Sequence, residues 1–279
     1  MKRCAVRNLF TNNRTFPMIN FSANLSMLFT ELPLLDRFEA AKNAGFSAVE
    51  IQFPYSESID ALRAKLDETG VQLVLFNVDA DDLLHGGEGL AAVPEKRERF
   101  KSALAQTVDY VKALQPKVIN VLPGRCANPS RLNDYLKTFT VNLQLAADTL
   151  APLGVNTVFE AINTIDMPGF IIHSGAQMLD WLERLNHPNI LLQVDTYHLS
   201  MMNEAPEALI RRHSEAIGHI QFADNPGRGQ PGTGDIDFKR LFDTIRNSGY
   251  SGWTGAEYRP VGRTLDSLDW YEQFRTQLV

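Results

Sequence analysis

Four oxygen-bearing side chains stand at the ends of strand-like runs in the second half of the chain. Glu160 follows VF, Asp195 closes ILLQVD, Gln221 sits inside HIQFAD and Glu257 follows GA. If the four meet, three carboxylates face one point. Two like charges ~4 Å apart repel by about 4 kcal/mol at an effective dielectric of 20. Three cannot all stay ionised without a counter-charge, and no Lys or Arg lies inside these strand cores to supply it. Either protons are held there or a divalent cation sits between them. Three carboxylates and an amide carbonyl are hard donors, which favours Mg2+ or Mn2+ over zinc. Any one of the four alone is more simply a surface acid or an arginine's partner. Their shared place at four successive strand ends is what argues for convergence on a metal.

Two further residues could touch a substrate. His198, three positions past Asp195, reaches a bound oxygen if the strand end extends or turns; the plainer alternative is a satisfied, partly buried histidine. Arg228 lies in the Gly/Pro-rich loop NPGRGQPGTGDID, where its planar fork suits a carboxylate, against the alternative of a solvated loop arginine. The glycines there resemble a phosphate cradle only weakly, since no G-K-[ST] is present. His85 and Glu88 in HGGE read as a solvated loop before they read as a lid. His173, His187, His213 and His219 lack metal-ligand spacing such as H-E-x-x-H, and Cys126 has no base near it in sequence.

These residues need elements that bring strand ends together. NILLQVDTYH, residues 189–198, is a near-continuous apolar run of the kind buried on both faces in a parallel sheet. From Ile19 onward, strand-like runs alternate with segments of helical spacing. Helices are expected over 32–44, 58–69, 95–114, 131–150, 175–185, 206–216, 237–247 and 265–278, several closed by Gly (Gly45, Gly70, Gly249). Eight such units predict an α/β fold, a single-domain (β/α)8 TIM barrel, with chemistry at the C-terminal ends of the strands. An open doubly wound sheet is the alternative. No G-x-G-x-x-G follows the first strand, which leaves dinucleotide binding unsupported.

The bulk properties set limits. A length of 279 residues suits one barrel, and a net charge of -6 offers no basic field for nucleic acid or an anionic membrane. No apolar run approaches the ~20 residues of a membrane span. Two distant cysteines, Cys4 and Cys126, make a reducing cytoplasm the default. Residues 1–17 carry Lys2, Arg3, Arg7 and Arg14 and no acid. They read as a disordered or non-native extension ahead of a catalytic domain at 18–279. A homo-oligomer is compatible with such a barrel, although no interface is legible.

With these residues in hand, the chain resembles the hydroxypyruvate isomerase family of xylose isomerase-like barrels. The likeness is carried by FSANLSMLFTELPLLDRFEAAKNAGFSAVEIQFPY, FEAI, QVDTYH, HIQFADNPGRGQPGTGDIDF and GAEYRP. It implies that Glu160 and Glu257 are the paired acid/base glutamates. It also implies that Glu160, Asp195, Gln221 and Glu257 ligate a divalent metal, and that His198 and Arg228 touch substrate. The sequence departs from the pattern at Gly229, where many relatives carry His, and in HGGEGL, which lacks a residue, often Arg, between Glu88 and Gly89. Both fall where the substrate's far end would go. The implied reaction is an aldose–ketose isomerisation of a small keto-acid or sugar substrate, of the hydroxypyruvate to tartronate semialdehyde type. A 2-oxo-tetronate isomerase or a ketose 3-epimerase is the alternative in the same barrel class. An apurinic-site endonuclease would need more histidines and a basic face; a non-catalytic sugar-acid sensor is a more distant alternative, against which the retention of both glutamates speaks.

Overall fold

The strands of this chain are short, and most turn polar toward their C-terminal ends. In the structure, a computed structural model describing residues 18–275, they are β1 (Asn20–Asn24), β2 (Ala48–Ile51), β3 (Gln72–Asn77), β4 (Val118–Asn120), β5 (Asn156–Glu160), β6 (Ile190–Asp195), β7 (Ile217–Phe222) and β8 (Trp253–Ala256). All pair in parallel in sequence order, and β8 closes on β1. The (β/α)8 barrel expected from the sequence is therefore the fold. The basic extension at 1–17 lies outside the described residues.

Helices α1 (Leu34–Asn43), α2 (Ile59–Thr69), α3 (Arg97–Leu114), α4 (Leu132–Leu150) and α5 (Gly175–Leu185) return the chain between strands. Local chemistry sets their ends. The Ser58 hydroxyl accepts from Ala61 N at the start of α2, and Gly70 ends it in the left-handed region at φ 68°. Ser174 caps α5 in the same way.

Several boundaries differ from the sequence expectation, and two have a visible cause. The sixth strand stops at Asp195, and the chain turns at once into a short helix, α6 (Thr196–Met201). The cause is Asp195 itself: its Oδ1 accepts from Tyr197 N at 2.8 Å and His198 N at 3.4 Å, so it is an N-cap. His198 thus rides a helix and not an extended strand end. After α7 (Pro206–His213) and α8 (Phe238–Asn247), the last expected helix is split. A 3-10 turn at Thr264–Ser267 precedes α9 (Asp269–Arg275), because Tyr258 OH meets Ser267 Oγ at 2.9 Å and fixes the break.

The layer between barrel and helices is aromatic. Phe222 meets Phe242 and Trp270 edge-to-face at 5.2 and 5.0 Å, contacts worth about 0.5–1.5 kcal/mol each beyond their buried area. Trp270 Nε1 donates to Tyr258 OH at 3.1 Å, docking α9 beside the end of β8.

The barrel's interior is different. Barrel interiors are usually filled by branched aliphatics. Here Glu50 of β2 is fully buried and accepts from Ser22 Oγ, Asn24 Nδ2, Gln221 Nε2 and His219 Nε2 at 2.7–3.1 Å. Burial alone would raise its pKa. The adjacent His219 and the hydrogen bonds outweigh that and hold the carboxyl below its ordinary value. Gly255 makes room for it, since a Cβ there would fall 2.2 Å from Glu50 Oε2.

Candidate active site

A cavity of about 500 Å3 opens at the C-terminal rim of the strands. Glu160, His198, Gln221, Arg228 and Glu257 line it, and Asp195 Oδ2 joins them 3.5 Å from both His198 Nε2 and Arg228 Nη2. The six residues singled out in the sequence are thus gathered at one place.

Each acid is held by its own partners. Glu160 Oε1 accepts from Asn120 Nδ2 at 2.7 Å. Asp195 spends Oδ1 on the α6 cap, which leaves Oδ2 for the site. Glu257 Oε1 accepts from Asn24 Nδ2 and Gln52 Nε2, both at 2.9 Å, and its Oε2 pairs with Arg228 Nη2. Gln221 is locked between two neighbours: Nε2 donates to Glu50, and Oε1 accepts from Gln193 Nε2 at 2.7 Å. Glu50, a carboxylate, can only accept, so the amide of Gln221 is oriented with its carbonyl away from Glu50.

Arg228 supplies the counter-charge that is missing from the strand cores. It comes from the loop after β7, at φ 57°, with Cζ 5.1 Å from the Tyr197 ring centroid. Burial would lower its pKa, but Glu257, Asp195 and Glu160 raise it above its ordinary value. The surrounding loop is built around Asp224, which accepts from Gly232 N and Gly234 N at 2.8 Å, Asn225 N at 2.9 Å and Ile236 N at 3.1 Å. The N–H groups of Gly232 and Gly234 are thus spent on Asp224 and not offered to a phosphate.

One guanidinium does not neutralise three carboxylates. Glu160 has its pKa raised well above the ordinary value by burial and by Glu257 and Asp195. Burial also raises Asp195, against the pull of Arg228. Glu257 is pushed up to about 7 by burial, Asp195 and Glu50, with Arg228 opposing. Such a site retains a demand for cations.

Ligand atoms of Glu160, Asp195 and His198 lie within 4.8 Å of one another, a spacing that suits a single metal ion. The imidazole fits this role poorly. Asn163 Oδ1 accepts from Ile165 N and Asp166 N, which turns its Nδ2 toward His198 Nδ1 at 2.7 Å. Burial, then Arg228, keeps His198 neutral. With Nδ1 accepting, the proton sits on Nε2, and that nitrogen is a donor without a free lone pair. The candidate ligands that remain are oxygens.

The comparisons with known proteins bear on the fold and the family. The family model described as xylose isomerase-like TIM barrel matches residues 38–274. The hydroxypyruvate isomerase of Escherichia coli is 38% identical over 92% of this chain and 100% of its own length. The chain belongs to the hydroxypyruvate isomerase family of xylose isomerase-like barrels. It is, with that family, an isomerase. The 2-oxo-tetronate isomerase of Pectobacterium atrosepticum is also 38% identical, over 91% of this chain and 97% of its own. A Brucella melitensis crystal structure, described as an AP endonuclease of family 2, superposes with a TM-score of 0.88 at 34% identity, covering 92% of this chain and 100% of that one.

Several residues of this family member's site were not found from sequence: Asn24, Glu50, Gln52, Asn120, Asn163, Gln193 and His219. A usable signal existed. Ser22/Asn24, Gln193/Asp195 and His219/Gln221 each place two polar residues at a spacing of two on one strand, the period of a single strand face. His85 is exposed, and Glu88 spends both oxygens on Ala127 N and Tyr135 OH. Glu88 therefore pins its loop and does not act as a lid group.

Proposed function

We propose that this isomerase interconverts a small 2-keto-3-hydroxy acid and its aldehyde isomer, of the hydroxypyruvate to tartronate semialdehyde type. The observation that carries this is two buried glutamates, Glu160 and Glu257, lining one cavity from different strands, both with raised proton affinity. One glutamate removes a proton from C3, and the electron pair forms the C2–C3 double bond of an enediolate. A proton is then delivered to C2, and the hydroxyl proton moves from the C3 oxygen to the C2 oxygen, leaving an aldehyde at C3. His198, neutral and donating from Nε2, is suited to hydrogen-bond the enediolate oxygen.

The donor set Glu160, Asp195, Glu257 and the Gln221 carbonyl fits a hard divalent cation, Mg2+ or Mn2+. Bound there, it would supply Lewis-acid stabilisation of the developing negative oxygen. A net charge of -6 and a cavity lined, among the described residues, by one histidine oppose an endonuclease role. Glu160→Gln and Glu257→Gln are each expected to lower kcat by roughly 10²–10⁴-fold while the fold is kept. Turnover of hydroxypyruvate and uptake of deuterium from D2O check this; wild-type rates in either variant would overturn the pairing.

A further inference from the structure

A keto acid brings a carboxylate into a cavity already lined by Glu160, Asp166 and Glu257. Something cationic must receive it. Among the described residues, two cations line this cavity, Arg228 and Arg259. Arg228 is committed through Nη2, which pairs with Glu257 and Asp195, and its Cζ lies 5.1 Å from the Tyr197 ring centroid; its buried Nε has no partner. Arg259 is not. It is exposed, and among the described residues its guanidinium has no ion pair and no hydrogen bond. Its backbone is nonetheless fixed. Arg259 N donates to Arg228 O at 2.7 Å, and Val261 N donates to Gln230 Oε1 at 3.0 Å, stitching the loop after β8 to the loop after β7. The result is a free planar fork on a held backbone at the edge of the reaction cavity.

We propose that Arg259 is the carboxylate-binding residue of this site and that it sets the preference for 2-keto acids over neutral ketoses. Resting on the keto-acid function above, this places the substrate's carboxylate at Arg259, with its reacting carbons toward Glu160 and Glu257. The fork can take both carboxylate oxygens at once, which a neutral hydroxymethyl group cannot reproduce. Arg228 then serves the acids of the site through Nη2.

The test is steady-state kinetics of the full chain in Mn2+, with hydroxypyruvate and with dihydroxyacetone, its neutral three-carbon counterpart. For Arg259→Ala the KM for hydroxypyruvate is expected to rise roughly 10–100-fold with kcat within about threefold of wild type. Kinetics on dihydroxyacetone should be unchanged, and Arg259→Lys should recover part of the KM. An unchanged KM for hydroxypyruvate in Arg259→Ala, or an equal rise for both substrates, overturns the proposal and leaves the keto-acid function standing. A wild-type enzyme that does not turn over hydroxypyruvate overturns that function, and this proposal with it.

Discussion

The proton held by Glu257 should be visible in the stability of the metal-free enzyme. Its carboxyl is pushed from 4.5 up to about 7, first by burial and then by Asp195 and Glu50. The folded chain therefore binds this proton more tightly than an unfolded chain does. The resulting stabilisation is fully present below pH ~4.5 and is lost as pH rises through about 7. A tenfold change in proton affinity is about 1.4 kcal/mol, so the loss from this group amounts to about 3 kcal/mol. For a chain of this size, 1 kcal/mol moves Tm by about 2–4 °C, which gives a fall of about 6–12 °C. The assay is Tm by circular dichroism from pH 5 to 8.5 in EDTA, for wild type and Glu257→Gln. Other groups titrate in both proteins, so the quantity of interest is the difference between the two curves. Wild type should lose ground to Glu257→Gln as pH rises, and saturating Mn2+ should flatten that difference by taking the proton's place. Parallel curves in EDTA would refute the claim that Glu257 is the group holding the proton.

Other expectations follow from the same contacts. Glu50→Leu strands His219, Asn24 and Gln221 inside the barrel and should cost about 3–5 kcal/mol, read from the urea midpoint; an unmoved midpoint would show that this network holds nothing. Asn163→Ala frees the imidazole of His198 to change tautomer. Nitrogen-15 NMR should show the proton on Nε2 in wild type and a mixture in the variant, with kcat lower by about tenfold. Mn2+ binding near pH 6 should release protons from Glu160 and Glu257, measured with a pH indicator dye in weak buffer; binding without release would remove these two acids from the ligand set.

The barrel was legible because its signals are local and repeat. Apolar runs such as ILLQV and VLFNV, helices closed by Gly70 or opened by Ser58, and a constant βα beat all point to one architecture. What misled was a residue serving two structures. Asp195 ends a strand and caps a helix, and the apolar letters after it, Tyr197 and Leu199, continue the strand's look while the backbone has already turned. No periodicity over so short a segment separates the two outcomes; the cap hydrogen bonds do.

The site was legible as a set of strand ends but not as a charge balance. Counting charge along the strands gave three carboxylates and nothing opposite. The opposing group comes from a loop, where Asp224 gathers four backbone N–H groups and so holds the segment that carries Arg228. Adding Arg228 reduces three negative charges to two. Without a metal, the raised proton affinities of Glu160 and Glu257 are the means by which those two charges are removed. A divalent cation carries the same two charges, so ion and protons are alternatives at one place, and the guanidinium need not leave for the count to close. That arithmetic explains why a site with a buried arginine still suits a metal; on the proposed mechanism, the two residues that would give up protons to it are the two glutamates assigned to proton transfer.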